Sequence, residues 1–229
     1  MDKRLFGKLP NGEDVYIYRL TDGTTTAEIM EYGVSYLFIP LVTLILLADL
    51  IRSKLTHRTP PIKVLSNRIE NARLEIDGKV YLLADNDNGN CLHGGVGFQH
   101  RLWKIVDYTG NRITLCYLSS NGEDGFPCNL SVEVTYTLKN NSIIISYKAV
   151  PDEATPIALT NHAFFNLDGF GGDIKEHTVQ IWANFYSEVN DKLIPTGNHP
   201  NVIGTPLDLR LPKRLVKTSP LPLTVMITI

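Results

Sequence analysis

LSVEVTYTLKNNSIIISYKAV, running from Leu130 to Val150, alternates apolar and polar residues on both sides of an Asn140-Asn141 pair. A period of two puts successive side chains on opposite faces of a sheet, and two asparagines tolerate the backbone that a tight hairpin turn needs. The stretch therefore reads as two strands, Leu130 to Leu138 and Ser142 to Val150, joined by that turn. Outward from it, Trp103 to Val106 and Arg112 to Leu118 carry the same alternation and the same β-branched and aromatic content. Ala72 to Ile76 and Val80 to Leu83 flank Asp77-Gly78 as a second hairpin, and Asp14 to Leu20 is a strand closed by Thr21-Asp22-Gly23. On the C-terminal side a strand is expected over His177 to Ala183, and Tyr186 to Asn190 leads into a turn at Ile194-Pro195-Thr196-Gly197. Short strands at regular spacing, with almost no helical period and no repeat, predict an all-β chain. The expected architecture is a large antiparallel β-sandwich from about Phe6 to Arg214, in a single domain over residues 1–229.

A net charge of -2, from 22 basic and 24 acidic residues, leaves no basic footprint for nucleic acid and no polybasic stripe for a membrane surface. A neutral partner suits the chain better. The three cysteines, Cys91, Cys116 and Cys128, form no Cys-x-x-Cys pair and read as small buried hydrophobes. With no signal peptide in view, a reducing cytoplasm is the expected compartment.

Thr160-Asn-His-Ala-Phe-Phe-Asn-Leu-Asp-Gly169 puts a titratable His162 between two asparagines in an otherwise apolar, aromatic run. A buried imidazole costs a few kcal/mol unless its nitrogens are paired, so His162 is either used or satisfied. The plain alternative is that Asn161 and His162 pair with backbone at a strand end. A second histidine, His93, stands directly before Gly94-Gly95, where the backbone can turn sharply and approach a ligand. A zinc site built on His93 and His162 lacks a third ligand at suitable spacing. Taken by themselves, Arg68 reads as a salt-bridged surface residue, Trp103 as core rather than a stacking platform, and the acidic Asn121 to Pro127 turn as a solvated loop.

Taken in order, Asn67-Arg68-Ile69, then Leu92-His93-Gly94-Gly95 with Gly97-Phe98 and Trp103, then Asn121 to Pro127, then Thr160-Asn161-His162 with Phe165-Asn166-Leu167, then Leu193 to Gly197 running to Gly204 to Arg210, resemble the aldose 1-epimerase (galactose mutarotase) family. The resemblance is close over Asn67 to Arg214 and loose over Phe6 to Gly33. It implies the family's antiparallel supersandwich and interconversion of the α and β anomers of free hexoses such as galactose and glucose. It implies a sugar as partner, no cofactor, no metal, no nucleic acid or membrane, and a monomer. By the same resemblance His162 is the acid that protonates the ring oxygen, His93 hydrogen-bonds or polarises that oxygen, and Arg68, Asn67 and Asn161 hold hydroxyls.

The chain also departs from the family pattern. One residue fewer separates the glycine pair from Phe98, and Gln99 stands where the family carries Asp. Residues 36–61 form an apolar run that turns basic at Arg52, Lys54, His57 and Arg58, shorter than the family's connection and without its loop residues. The apolar part is too short for a membrane span, which needs about 20 residues. It reads as a buried strand pair broken at Pro40 or as sequence foreign to the family. Residues 215–229 form an apolar tail that carries none of the later family motifs, so the sandwich is expected to be incomplete at its C-terminus. The family's general-base Glu would lie past Ile229, and Asp168 and Glu188 are carboxylates near family motifs but not at its position. The resemblance thus leaves open low activity, or a non-catalytic carbohydrate-binding or regulatory protein on the same fold. It also leaves open a product that does not fold, because unpaired edges and wet core faces are costly.

Overall fold

The computed structural model describes residues 1–38, 65–161, 166 and 173–215. By contact clustering it falls into two compact units, Met1–Phe170 and Gly171–Ile229. In the first unit, β1 (Lys3–Lys8), β2 (Asp14–Thr21), β3 (Thr26–Met30) and β4 (Ser35–Phe38) form an antiparallel meander. Four short strands follow: β5 (Arg68–Ile69), β6 (Arg73–Ile76), β7 (Lys79–Leu82) and β8 (Cys91–Leu92). Then β9 (Lys104–Thr109), β10 (Arg112–Ser119), β11 (Leu130–Lys139) and β12 (Ser142–Pro151) make a second antiparallel meander.

Alternation along β11 decides how the two meanders pack. Leu130, Val132, Val134, Tyr136 and Leu138 are all buried on one face, and they join Ile113 and Leu115 of β10. The same core takes in Tyr18 and Leu20 of β2 and Ala27 and Ile29 of β3, so the two sheets close on each other as a sandwich. Polar contacts tie the layers at their margins. The Tyr136 hydroxyl donates to the Val34 carbonyl at 2.7 Å, and the Thr24 hydroxyl to Asn141 Oδ1 at 2.8 Å. Trp103 is buried in this core, its indole N–H donating to the Phe98 carbonyl and its ring edge-on to Phe98. The core reading of Trp103 therefore holds. Cys91 and Cys128 are buried, Cys116 is half-buried, and all three are free thiols.

The turns follow their residues. Asp77 and Gly78 both take positive φ between β6 and β7, as do Asn140 and Asn141 between β11 and β12. The strand expected over His177 to Ala183 is much shorter: β13 (Thr178–Val179) pairs with β14 (Lys213–Arg214) in the second unit. Continuing that register would set Gln180 against Pro212, which has no N–H to donate, and the ladder stops there. Beyond the break the Ile181 N–H reaches the Leu209 carbonyl instead. The turn expected at Ile194 to Gly197 is built on Asn190, whose N–H donates to the Ile194 carbonyl, with Val189 bridging Pro195. Among the described residues no helix is long and apolar enough to cross a membrane. Most of the 36–61 segment and the tail beyond Leu215 lie outside the described residues.

Candidate active site

The site rests on the smallest sheet of the first unit. β5 and β8 pair antiparallel, with Arg68 opposite Leu92 and Ile69 opposite Cys91. Cys91 points into a satellite core of Ala72, Leu83 and Phe126, against which Ile69 and Leu74 pack. Burial pushes the Cys91 thiol above its ordinary pKa, which suits an inert packing residue. This two-residue ladder sets Asn67 beside His93, 26 positions apart in sequence.

Asn67 and His93 grip each other reciprocally. The His93 N–H donates to the Asn67 carbonyl at 2.8 Å, and the Asn67 N–H donates to His93 Nδ1 at 3.2 Å. A nitrogen that accepts a hydrogen bond carries no proton, so the neutral ring holds its proton on Nε2 and presents Nε2–H as a donor. Both residues sit at positive φ, 57° for His93 and 70° for Asn67, a region in which His and Asn are enriched among non-glycine residues.

Arg68 turns back over the same corner. Its Nε donates to Asp87 Oδ2 at 2.6 Å and its Nη1 to Asn67 Oδ1 at 3.1 Å. Its side chain is only 11% exposed, so the ion pair is partly buried and not a surface bridge. Asn67 is thereby held at both its backbone and its side chain.

Two polar residues brace the turn after His93. Asn86 imitates a strand: its Oδ1 accepts from the Leu92 N–H, and its Nδ2 donates to the Leu92 and Gly95 carbonyls. The Asp124 carboxylate accepts from the Val96 and Gly97 N–H groups at 3.2 and 3.0 Å. Gly95, at φ +81°, lies between these braces. A Cβ there would come within 2.9 Å of Ala84 Cβ and 3.0 Å of Asp124 Oδ1, which is why only glycine fits. Gly125, at φ +89°, has the same restriction, because a Cβ would fall on the Leu82 carbonyl oxygen.

Next to Asp124, Glu123 collects the Ser119 and Tyr117 hydroxyls and the Arg101 Nε. Burial alone would raise the Glu123 pKa, but the hydrogen bonds from Ser119, Arg101 and Tyr117 outweigh it and hold the carboxyl below its ordinary value. Burial, with Glu123 as acceptor, pushes the Tyr117 phenol up to about 12. The side chains of Glu123 and Asp124 are 14% and 9% exposed, so the Asn121 to Pro127 turn is not the solvated loop that its composition suggests. A folded-state pKa below the unfolded one means that Glu123 stabilises the fold above the unfolded value, about 4.3, and that this contribution is lost as pH falls through the depressed folded value. Urea midpoints measured from about pH 6 down to about pH 3 are expected to fall, and to fall less steeply for Glu123→Gln. Parallel curves for the two proteins would show that this carboxylate carries no such linkage.

Of the five residues singled out from sequence, the fold brings Asn67, Arg68 and His93 into one corner. Three residues before Asn161, Ala158 bridges Leu65 in parallel and its carbonyl accepts from the Ser66 N–H, next to Asn67 in sequence. His162 and Asp168 lie outside the described residues. Glu188 accepts from Asn198 and Thr196, which hold it below the ordinary carboxylate range and make it a poor base. Sequence reasoning passed over Asp87, Asn86 and Asp124, all polar residues between the expected strands. The one signal for Asn86 and Asp87 was a run of Asp and Asn shortly before a His-Gly-Gly turn, which needs side chains to satisfy its backbone.

Residues 16–223 match the family model described as aldose 1-epimerase. The galactose mutarotase of Pongo abelii is 44% identical over 155 residues, covering 67% of this chain and 45% of that protein. The aldose 1-epimerase of Haemophilus influenzae is 40% identical over 151 residues, covering 65% and 44%. The chain thus spans somewhat under half the length of these curated relatives. Among solved structures, an aldose epimerase homologue from C. elegans superposes with a TM-score of 0.73 at 26% identity, over 89% of this chain and 66% of that one. With the family match crossing both compact units and the sandwich shared with a solved homologue, this chain belongs to the aldose 1-epimerase family.

Proposed function

We propose that this chain interconverts the α and β anomers of free hexoses such as galactose and glucose. The observation that carries the reading is the Asn67–Arg68–His93 corner, in which Nδ1 accepts from a backbone N–H and leaves the ring proton on Nε2. Anomerisation opens the hemiacetal ring, turns the bond to the anomeric carbon and closes the ring again. A base takes the anomeric hydroxyl proton while an acid protonates the ring oxygen. His162 is assigned as that acid, since an imidazole both gives and recovers a proton near neutral pH. His93 steadies the ring oxygen through Nε2–H as charge develops there, and Arg68, Asn67 and Asn161 hold sugar hydroxyls.

The base is none of the three carboxylates around His93. Asp87 is tied to Arg68, Glu123 to Arg101 and two hydroxyls, and Asp124 to two backbone N–H groups. We further infer a cytoplasmic monomer and one family domain over residues 1–229. The three free cysteines support the reducing setting, and the family match running 16–223 across both units supports the single domain. The test is polarimetry on freshly dissolved α-galactose and α-glucose with this chain and with His162→Ala. Acceleration above the buffer rate that His162→Ala removes is the expected result. Sugar binding without acceleration would make the protein a carbohydrate-binding member of the fold.

A further inference from the structure

We propose that Asp124 is a positioning residue for His93: its carboxylate sets the glycine turn from which the imidazole is presented to the sugar ring oxygen. The proposal rests on the role given to His93 above. Four observations support it. The Asp124 carboxylate receives two consecutive backbone N–H groups, one on each oxygen: Val96 on Oδ1 at 3.2 Å and Gly97 on Oδ2 at 3.0 Å. The slot at Gly95 is closed by Asp124 Oδ1, so the carboxylate touches the turn on its side-chain face as well as at its N–H groups. Asp124 is itself fixed, because its carbonyl accepts from the Ala84 N–H and its carboxylate lies 3.8 Å from Arg101 Nη2. Arg101 is anchored in turn by Glu123, and its carbonyl accepts from the Gly33 N–H in the connection between β3 and β4.

The consequence for chemistry lies in the reach of this brace. The turn from Gly94 to Gly97 contains three glycines and has little stiffness of its own. Asn67 holds His93 from the N-terminal side of the turn, and Asp124 holds the chain from the other side, three and four residues on. Release of the second anchor lets the His93 backbone drift and lengthens the Asn67 N–H to Nδ1 bond. That bond is what keeps the ring proton on Nε2. An error of about 1 Å in such a group costs on the order of a hundredfold in rate, while hydroxyl contacts made by Arg68 and Asn67 persist. Glutamate in place of Asp124 would overfill the Gly95 contact, so asparagine is the informative change: it keeps the size, loses the charge, and can accept with one atom only, leaving its NH₂ facing the other N–H.

The experiment uses the full chain, uniformly ¹⁵N-labelled. Imidazole long-range correlation spectra report which ring nitrogen of His93 carries the proton, with the His93 signals assigned by their loss in His93→Asn. The wild type is expected to show an Nε2–H ring, and Asp124→Asn a ring in mixed tautomers whose two nitrogen shifts approach each other. With α-galactose, Asp124→Asn is expected to lower kcat by about 10- to 100-fold while KM changes little. Arg101→Lys, which keeps the charge but loses the guanidinium fork, is expected to move both readouts in the same direction by less. It carries the test if Asp124→Asn does not fold. An unchanged His93 spectrum in a folded Asp124→Asn or Arg101→Lys protein would overturn the positioning role. If the wild type neither binds nor anomerises sugar but the His93 tautomer still shifts in Asp124→Asn, positioning stands and the mutarotase reading falls.

Discussion

His93→Asn is expected to lower the rate of anomerisation by about 10²- to 10⁴-fold while leaving the fold intact. The backbone argument comes first: His93 lies at φ 57°, where asparagine is among the few side chains that sit comfortably, so the variant meets little strain. The side-chain argument follows from the hydrogen bonds. The amide of asparagine extends about as far as the Nδ1 edge of histidine, so it can still accept from the Asn67 N–H. What it lacks is Nε2, the donor assigned to the ring oxygen. The substitution therefore separates holding Asn67 from acting on the sugar. Polarimetric rates at saturating sugar, beside urea denaturation, check the result. A variant of wild-type rate would remove His93 from the chemistry and leave it as the partner that pins Asn67.

Trp103→Ala is expected to cost about 3–5 kcal/mol of stability, read as a lower urea midpoint at unchanged slope. The indole is 1% exposed, lies edge-on to Phe98 with ring centres 6.0 Å apart, and also touches Tyr117 at 5.6 Å. Removing it opens a cavity against both rings and frees the Phe98 carbonyl from its indole donor. Tyr117 is the residue whose hydroxyl serves Glu123, so the loss also loosens the brace beneath the His93 turn. Trp103→Phe is expected to recover part of the loss, because it refills volume without restoring the indole N–H. A midpoint equal to wild type would show that the ring is not core, and would return it to the platform role that sugar-binding tryptophans fill.

How far the sequence could be read depended on how local each signal was. Period-two alternation and the paired turn residues Asp77-Gly78 and Asn140-Asn141 act within a few residues, and they set the β6–β7 hairpin and the β11–β12 hairpin of the second meander without help from the rest of the chain. The ordered motifs likewise carried the family and the choice of Asn67, Arg68, Asn161, His93 and His162 as candidates. The His177 to Ala183 run shows where local reading failed: its alternation is sound, but a strand needs a partner, and the partner places Pro212 opposite Gln180. The tautomer of His93 belongs to the same category. It is set by a hydrogen bond from Asn67, 26 residues away, and no pattern around either residue indicates it. Glu123 and Asp124 look like a solvated acidic turn because composition reports polarity and not burial. Only tertiary packing brings Arg101, Tyr117, Ser119 and the Val96 and Gly97 N–H groups to them, turning an apparent loop into the support of the site. Local periodicity and turn chemistry were thus written in the chain itself, whereas protonation, burial and bracing were decided by residues that meet only when it folds.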